Sequence, residues 1–168
     1  MTPLPGLLGG AELAAWRLDD ARFAATWDNG EGAFLYGGRW NSPSVRAVYC
    51  AIDPSTAILE VAVHSGFAEL AARPHVLTSL SIHNPADVHV VQPTDIPEPA
   101  WLRSIETSPE QQRFGDDLLR RARFVVIPSA VSTNSWNLLI SIPAAAGRYA
   151  LRSQDPFVLD PRLQAPAR

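Results

Sequence analysis

The sequence predicts an α+β fold, a mixed or antiparallel β-sheet core with flanking helices. Three observations predict it. Short apolar, β-branched runs recur along the chain, bounded by proline, glycine, serine or aspartate. Two segments carry helix-start signals, Asp53-Pro54 and Ser108-Pro109-Glu110. Strands and helices then mix without a regular βαβ rhythm, and no Gly-x-Gly-x-x-Gly sits between a strand and a helix.

Taken in order, residues 1–12 read as a loose lead-in, and 13–168 as one domain. Residues 45–52 are apolar and β-branched enough for a buried strand. Asp53 then caps a helix with Pro54 in its first turn, running through Ser55 to about His64 and stopping near Gly66. Residues 75–82 alternate as a second strand and 87–91 form a third. Pro93, Pro97 and Pro99 make 92–101 an irregular loop. The second helix starts at Ser108 and ends around Arg123. Residues 124–127 form a strand closed by Pro128-Ser129, 137–142 another, and 157–159 a last short one.

Composition excludes several function classes. All fourteen basic residues are arginine, so neither a Schiff-base lysine nor a phosphate-loop lysine exists in this chain. Net charge is −3 and the arginines are scattered, which disfavours a nucleic-acid face. Arg120, Arg121 and Arg123 close a helix, where the dipole favours cations. Cys50 is the single cysteine, so no internal disulfide forms and a thiolate zinc site is excluded. The four histidines lack paired metal spacing, and no metal is expected. No stretch approaches a membrane span and no basic segment leads an apolar one at the N-terminus, so a reducing cytoplasm is the expected compartment.

Residues 30–41 are the best clue to chemistry. Gly30, Gly32, Gly37 and Gly38 crowd around Arg39, with Trp40 and Asn41 following. Glycine lets backbone approach a ligand closely, and a guanidinium offers a planar fork to phosphate oxygens. A flexible loop ending in Arg39 therefore fits a phosphate-bearing molecule; a plain glycine-rich turn beside a surface arginine is the other reading.

Other candidates carry two readings each. Glu60 lies between two apolar triplets, either on a polar helix stripe with Thr56 and His64 or in a cleft. Tyr49 is a core aromatic of its strand or a ring facing a ligand. Ser129 leaves a buried strand, beginning a turn or entering a site, and lies in no Gly-x-Ser-x-Gly elbow. Trp16-Arg17 is a strand-end pair or brings a second arginine to the glycine segment. Asn134, Trp136 and Asn137 cap a turn or supply amide contacts to a ligand.

The ordered set Trp16-Arg17, Gly30-Glu31-Gly32-Ala33, Gly37-Gly38-Arg39-Trp40-Asn41-Ser42-Pro43, Val48-Tyr49, Leu59-Glu60-Val61 and Pro128-Ser129 resembles the RES-domain family. The resemblance runs from about residue 14 to Leu163, where Pro156-Phe157 and Asp160-Pro161-Arg162-Leu163 match the family's usual ending. It implies a fold similar to ADP-ribosyltransferases and a toxin of a bacterial toxin–antitoxin pair. The implied substrate is NAD⁺, and the implied partner is an Xre-type helix-turn-helix antitoxin. By motif, Arg39, Tyr49 and Glu60 are the implied active-site triad, with Ser129 as the family serine. Arg17, Gly38, Asn41 and Asn137 join Ser129 as expected substrate contacts. Two places depart from the family pattern: Ser44 stands where glycine is common, and Ser141-Ile142-Pro143-Ala144-Ala145 replaces an Asn-Pro-x-His-Pro-like stretch. The second departure keeps an alternative in view, a catalytically idle nucleotide-binding module.

The implied chemistry suits the residues. Cleaving the nicotinamide–ribose bond passes through an oxocarbenium-like state, as in sugar hydrolysis. Nicotinamide leaves a pyridinium as a neutral ring, so no acid has to protonate it, and one carboxylate suffices. Glu60 then stabilises the developing positive charge, Arg39 holds the pyrophosphate and Tyr49 stacks on the nicotinamide. The acceptor, whether water, inorganic phosphate or a protein side chain, is not specified by these residues.

Overall fold

The computed structural model describes residues 13–163, so the expected lead-in at 1–12 lies outside the described residues. The strands are β1 (Leu13–Asp20), β2 (Ala47–Ala51), β3 (His75–Ile82), β4 (Val88–Val90), β5 (Phe124–Pro128), β6 (Trp136–Ser141) and β7 (Tyr149–Phe157). The α-helices are α1 (Glu31–Tyr36), α2 (Pro54–Ser65), α3 (Phe67–Ala72) and α4 (Pro109–Arg121). The strands form one mixed sheet in the order β4-β5-β6-β2-β1-β3-β7, with β4 and β5 parallel and the other neighbours antiparallel. The α+β expectation therefore holds.

The sheet is nearly split in its middle. β1 pairs with β3 over eight residues, and β2 with β6 over five, yet β1 meets β2 only at Trp16↔Ala51. Each half is a well-hydrogen-bonded ribbon and the seam between them is open. One apolar cluster joins Ala15, Leu80 and Ile82 of the first half to Val48, Cys50, Phe124, Val126, Leu138 and Ile140 of the second. The halves thus fold over a shared core. The remaining face of the second half packs Val125, Ile127 and Leu139 against Leu119 and Phe114 of α4 and against Trp40. The remaining face of the first half packs Leu18 and Leu77 against Ile58, Ala62 and Leu70 of α2 and α3. Strands β5 and β6 are buried on both faces, which is why they read as unbroken apolar runs.

Several sequence expectations hold nearly to the residue. Asp53 caps α2 by accepting from Thr56 N–H at 2.8 Å, with Pro54 in the first turn and Gly66 at the C-terminus. Ser108 caps α4 in the same way. Strands β2 to β6 fall within two residues of the expected bounds.

Others need correction. The segment 30–41 is not a continuous flexible loop: its start is α1, bracketed by Gly30 and Gly37 at φ 64° and 71°. Those two glycines supply left-handed backbone that other residues adopt at a cost. β1 extends well beyond the strand-end reading of Trp16-Arg17, although Leu-Ala-Ala-Trp-Arg-Leu-Asp-Asp is poor in β-branched residues; its eight-residue pairing with β3 overrides that weak propensity. α3 is six residues long, too short to show a helical period. The last strand spans Tyr149–Phe157 rather than 157–159; it is an edge strand, polar along much of its length, and Pro156 is tolerated there. Within 92–101 the prolines start two short 3-10 turns rather than a wholly irregular loop.

Candidate active site

A cleft of about 900 Å³ opens along the seam between β1 and β2, roofed by α1 on one side and α2 on the other. Its size falls within the ~300–1,000 Å³ typical of small-molecule sites. Arg17, Gly38, Arg39, Tyr49, Glu60 and Asn137 all line it.

Glu60 stands at the centre of the α2 wall. Its Oε1 accepts from Ser129 Oγ at 2.8 Å and from Asn137 Nδ2 at 2.6 Å. The cleft reading of this residue is therefore the one realised. The line Thr56, Glu60, His64 is no exposed stripe, since Thr56 is buried, Glu60 is half-buried and only His64 is exposed. Ser129 Oγ in turn accepts from the backbone N–H groups of Val131 and Ser132 at 3.2 and 2.9 Å. Those donors polarise the hydroxyl and strengthen its hydrogen bond to the carboxylate. Asn137 presents its amide to Glu60 rather than leaving it open to a ligand, and its Oδ1 is buried with no hydrogen-bond partner.

Tyr49 follows from strand alternation. Val48 and Cys50 face the shared core, so Tyr49 turns toward the opposite side. Its hydroxyl donates to Asn41 Oδ1 at 2.7 Å and accepts from Trp40 N–H at 3.0 Å. Burial pushes the phenol well above its ordinary pKa, and the charges of Arg39 and Glu60 are close enough to act on it. What remains for the cleft is the ring, not the hydroxyl. A Cβ on Gly38 would lie 2.6 Å from the Tyr49 hydroxyl oxygen, so glycine there makes room for the ring's anchor.

Asn41 is placed behind the wall, not in it. It is fully buried, and its Nδ2 lies within hydrogen-bond reach of the carbonyls of Ala33, Ser42 and Val45 at 3.0 to 3.1 Å. The expected substrate contact is thus a brace that ties α1, the Arg39 segment and Tyr49 together. The Asn side chain supplies both donor and acceptor, which an aspartate could not.

The two arginines are held differently from the acid. Arg17 Nε and Nη2 grip the Asp19 carboxylate at 2.6 Å each, and Nη1 donates to Tyr49 O at 2.8 Å. That last bond bridges the open seam, where the ladder between β1 and β2 is missing. Burial raises the Asp19 pKa, while Arg17 opposes that rise. Arg39 donates from Nη1 to Trp101 O at 2.8 Å and from Nη2 to Ser104 O at 3.1 Å. It therefore fixes the segment between β4 and α4, whose Ile105 and Thr107 also line the cleft. Each guanidinium has five N–H donors, so both keep donors beyond these contacts.

Three residues that line or support the site were not singled out in the sequence: Asp19, Trp101 and Ser104. The signal for Asp19 was present, because residues two apart on a strand share a face. Trp101 and Ser104 act through backbone carbonyls, which carry no side-chain signature. Cys50 also lines the cleft, but burial pushes its thiol up to about 12, leaving it protonated. Ser44 adopts φ 76° and is the one non-glycine residue with positive φ among the described residues. The stretch 141–145 contributes nothing to the cleft lining; Ser141 Oγ donates to Leu119 O and Ala145 is buried in the shared core. Among the described residues no cluster of His, Cys, Asp and Glu could hold a metal ion, and no helix is long and apolar enough to cross a membrane.

Residues 14–160 match the RES domain. The chain belongs to the RES-domain family. It is 30% identical over 148 residues to a Yersinia enterocolitica protein named Toxin Res, covering 84% of this chain and 92% of that one. It is 32% identical over 163 residues to the Prs ADP-ribosylating toxin of a Sphingobium species, covering 88% and 94%. The fold is similar to that in a crystal structure of the M. tuberculosis MbcT-MbcA toxin-antitoxin complex, with a TM-score of 0.71 at 20% identity over 88% of this chain and 85% of that one. The RES reading of the motifs and the α+β architecture thus agree with two kinds of comparison.

Proposed function

We propose that this RES protein is the NAD⁺-consuming toxin of a bacterial toxin–antitoxin pair, breaking the nicotinamide–ribose bond in the cleft at the sheet seam. The observation that carries this reading is one carboxylate, Glu60, braced by Ser129 and Asn137 in the same cleft as two guanidinium groups and the ring of Tyr49. The name of the Sphingobium relative supports ADP-ribosyl chemistry.

In this reading the C1′–N bond breaks heterolytically. The electron pair passes to the pyridinium nitrogen, which becomes neutral nicotinamide, and positive charge develops on the ribose. Glu60 stabilises that charge and accepts a hydrogen bond from a ribose hydroxyl. Arg39 and Arg17 turn their remaining N–H groups to the pyrophosphate. Tyr49, fixed by its hydroxyl, offers a rigid face to the nicotinamide ring. Water, inorganic phosphate or a protein side chain then bonds to C1′ through a lone pair, quenching the positive charge, and the proton carried by water or by a neutral side chain leaves to solvent. Asn41 and Gly38 serve the site by holding Tyr49.

The toxin is silenced in the cytoplasm by an Xre-type helix-turn-helix antitoxin that covers the cleft mouth. Phe23, Leu35, Tyr36 and Ile105 line the cleft while staying 48%, 54%, 83% and 98% exposed, and an apolar rim of this kind fits a protein partner. The idle-module alternative was motivated by the divergent stretch 141–145, none of whose residues lines the cleft. Expression in a bacterial host tests the proposal. Growth should stop as cellular NAD⁺ falls, and co-expression of the neighbouring antitoxin gene should restore both. Normal growth with steady NAD⁺ would count against it.

A further inference from the structure

The loop from Ser129 to Ser135 joins β5 to β6 and closes on itself, with Ser129 N–H donating to Ser135 O at 3.0 Å. Both of its ends are bonded to α2. The Ser129 end reaches Glu60. The Ser135 end reaches the first turn of the same helix, where its hydroxyl donates to Asp53 Oδ2 at 2.6 Å. Thr56 Oγ1 donates to Ser135 Oγ at 2.8 Å, and Thr56 N–H donates to Asp53 Oδ1 at 2.8 Å.

Proton order in this cluster follows from the groups alone. An ionised carboxylate only accepts, so the Ser135 proton goes to Asp53 and Thr56 must donate to Ser135. Burial pushes Asp53 up, but the hydrogen bonds from Ser135 and Thr56 outweigh it and leave the carboxyl below its ordinary pKa. Thr56 itself is 3% exposed, so its hydroxyl has no ready replacement from solvent.

Thr56 lies one helical turn before Glu60, on the same face. Glu60 is otherwise fixed only at its tip, by Ser129 and Asn137. A ribose hydroxyl reaching this carboxylate would compete for the same lone pairs. A helix held independently at its start keeps the carboxylate in place when that competition occurs. We infer that the Thr56–Ser135–Asp53 chain is a latch that positions α2, and through it Glu60, against the cleft. These three are positioning residues; none of them is placed against the substrate. The inference rests on the reading that Glu60 serves the NAD⁺ reaction.

The test uses Thr56→Val, which keeps the β-branched shape and the backbone cap, together with Ser135→Ala and Thr56→Ser. The Asn137 side-chain amide, bonded to Glu60, gives an NMR signal that reports the carboxylate's position without any turnover. We expect Thr56→Val and Ser135→Ala each to lower kcat roughly tenfold with KM within about twofold, the scale of a small misplacement of a reacting group. Both should shift the Asn137 amide resonances. Thr56→Ser should behave as the wild type, and the double variant Thr56→Val/Ser135→Ala should be no worse than either single one. Unchanged kcat in both single variants, each folded with a normal melting profile, overturns the latch. If the unaltered protein consumes no NAD⁺, the NAD⁺ reading fails by itself. The Asn137 signal then decides the latch alone: a shift supports it and an unmoved signal overturns it.

Discussion

The two walls of the cleft are built by different means. The acid wall is made from regular elements: Glu60 on α2, Asn137 on β6 and Ser129 at the end of β5, with side chains converging on one oxygen. The arginine wall is made where the β1–β2 ladder is missing and in the segment between β4 and α4. Arg17 spans the open seam by reaching Tyr49 O, and Arg39 holds the carbonyls of Trp101 and Ser104 in the segment between β4 and α4. One wall is fixed by neutral side chains that hydrogen-bond the acid from regular elements, and the other by the very cations that would meet the ligand's phosphates. Charge stabilisation gains from rigid placement, whereas a phosphate clamp tolerates a wall that adjusts as the ligand arrives.

The largest expected effect falls on the acid wall. Glu60→Gln keeps acceptor and shape but removes the charge, and NAD⁺ turnover should fall at least ~10²-fold, the scale of losing one preorganised electrostatic contact. The variant should melt as the wild type does. Turnover within threefold of wild type would take Glu60 out of the chemistry and erase the contrast between the walls.

On the arginine wall the loss should be one of affinity. Arg39→Ala should raise KM for NAD⁺ about tenfold, consistent with ~1.4 kcal/mol per factor of ten. Hydrogen exchange of the amides around Ile105 should quicken in the same variant, because both carbonyl contacts of that segment go with the guanidinium. Arg39→Lys should not restore either property, since an ammonium cannot reproduce the fork. A lower kcat at unchanged KM would place Arg39 with the acid instead.

How much of this was legible differs between the walls for the same reason. The caps and apolar runs of α2 and β5 place Glu60 and Ser129 in the chain, but their local sequence leaves two readings each, and it is the RES motif that singles them out. Arg39 was found through its glycine neighbours, but its surroundings were misread. Gly30 and Gly37 looked like loop flexibility and are instead the left-handed ends of a six-residue helix, too short to leave a period. β1, which carries Arg17 and Asp19, shows in the sequence only through the strand-end reading of Trp16-Arg17, because its composition is neutral and its pairing is entirely long-range. Asn41 was read as a ligand contact, when its value to the fold is a buried brace; an asparagine beside a glycine-rich turn gives no hint of which. The seam itself, a single bridge between two full ribbons, is a property of the sheet and belongs to no local motif.

Two smaller effects separate the brace from the walls. Asn41→Ala removes the donor to the Val45 carbonyl and the acceptor of the Tyr49 hydroxyl, while the Ala33 and Ser42 carbonyls keep the backbone N–H groups of Gly37 and Val45, and it should cost about 2 kcal/mol of stability in denaturant titration. A loss below ~0.5 kcal/mol would mean that water reaches those groups, in which case Asn41 is no brace. The smallest shift is a gain. Ser44 holds φ 76°, so Ser44→Gly should stabilise the fold by up to about 1 kcal/mol while leaving kcat and KM as they are. A destabilised Ser44→Gly protein would show that the serine side chain offsets the strained backbone.

The central claim is that this cleft breaks the bond between nicotinamide and ribose. Mass spectrometry of purified protein incubated with NAD⁺, with and without inorganic phosphate, tests it most directly. The wild type should release free nicotinamide, with the ADP-ribose moiety recovered as ADP-ribose, its phosphorylated form or an adduct on protein. Intact NAD⁺ after prolonged incubation under both conditions would contradict it.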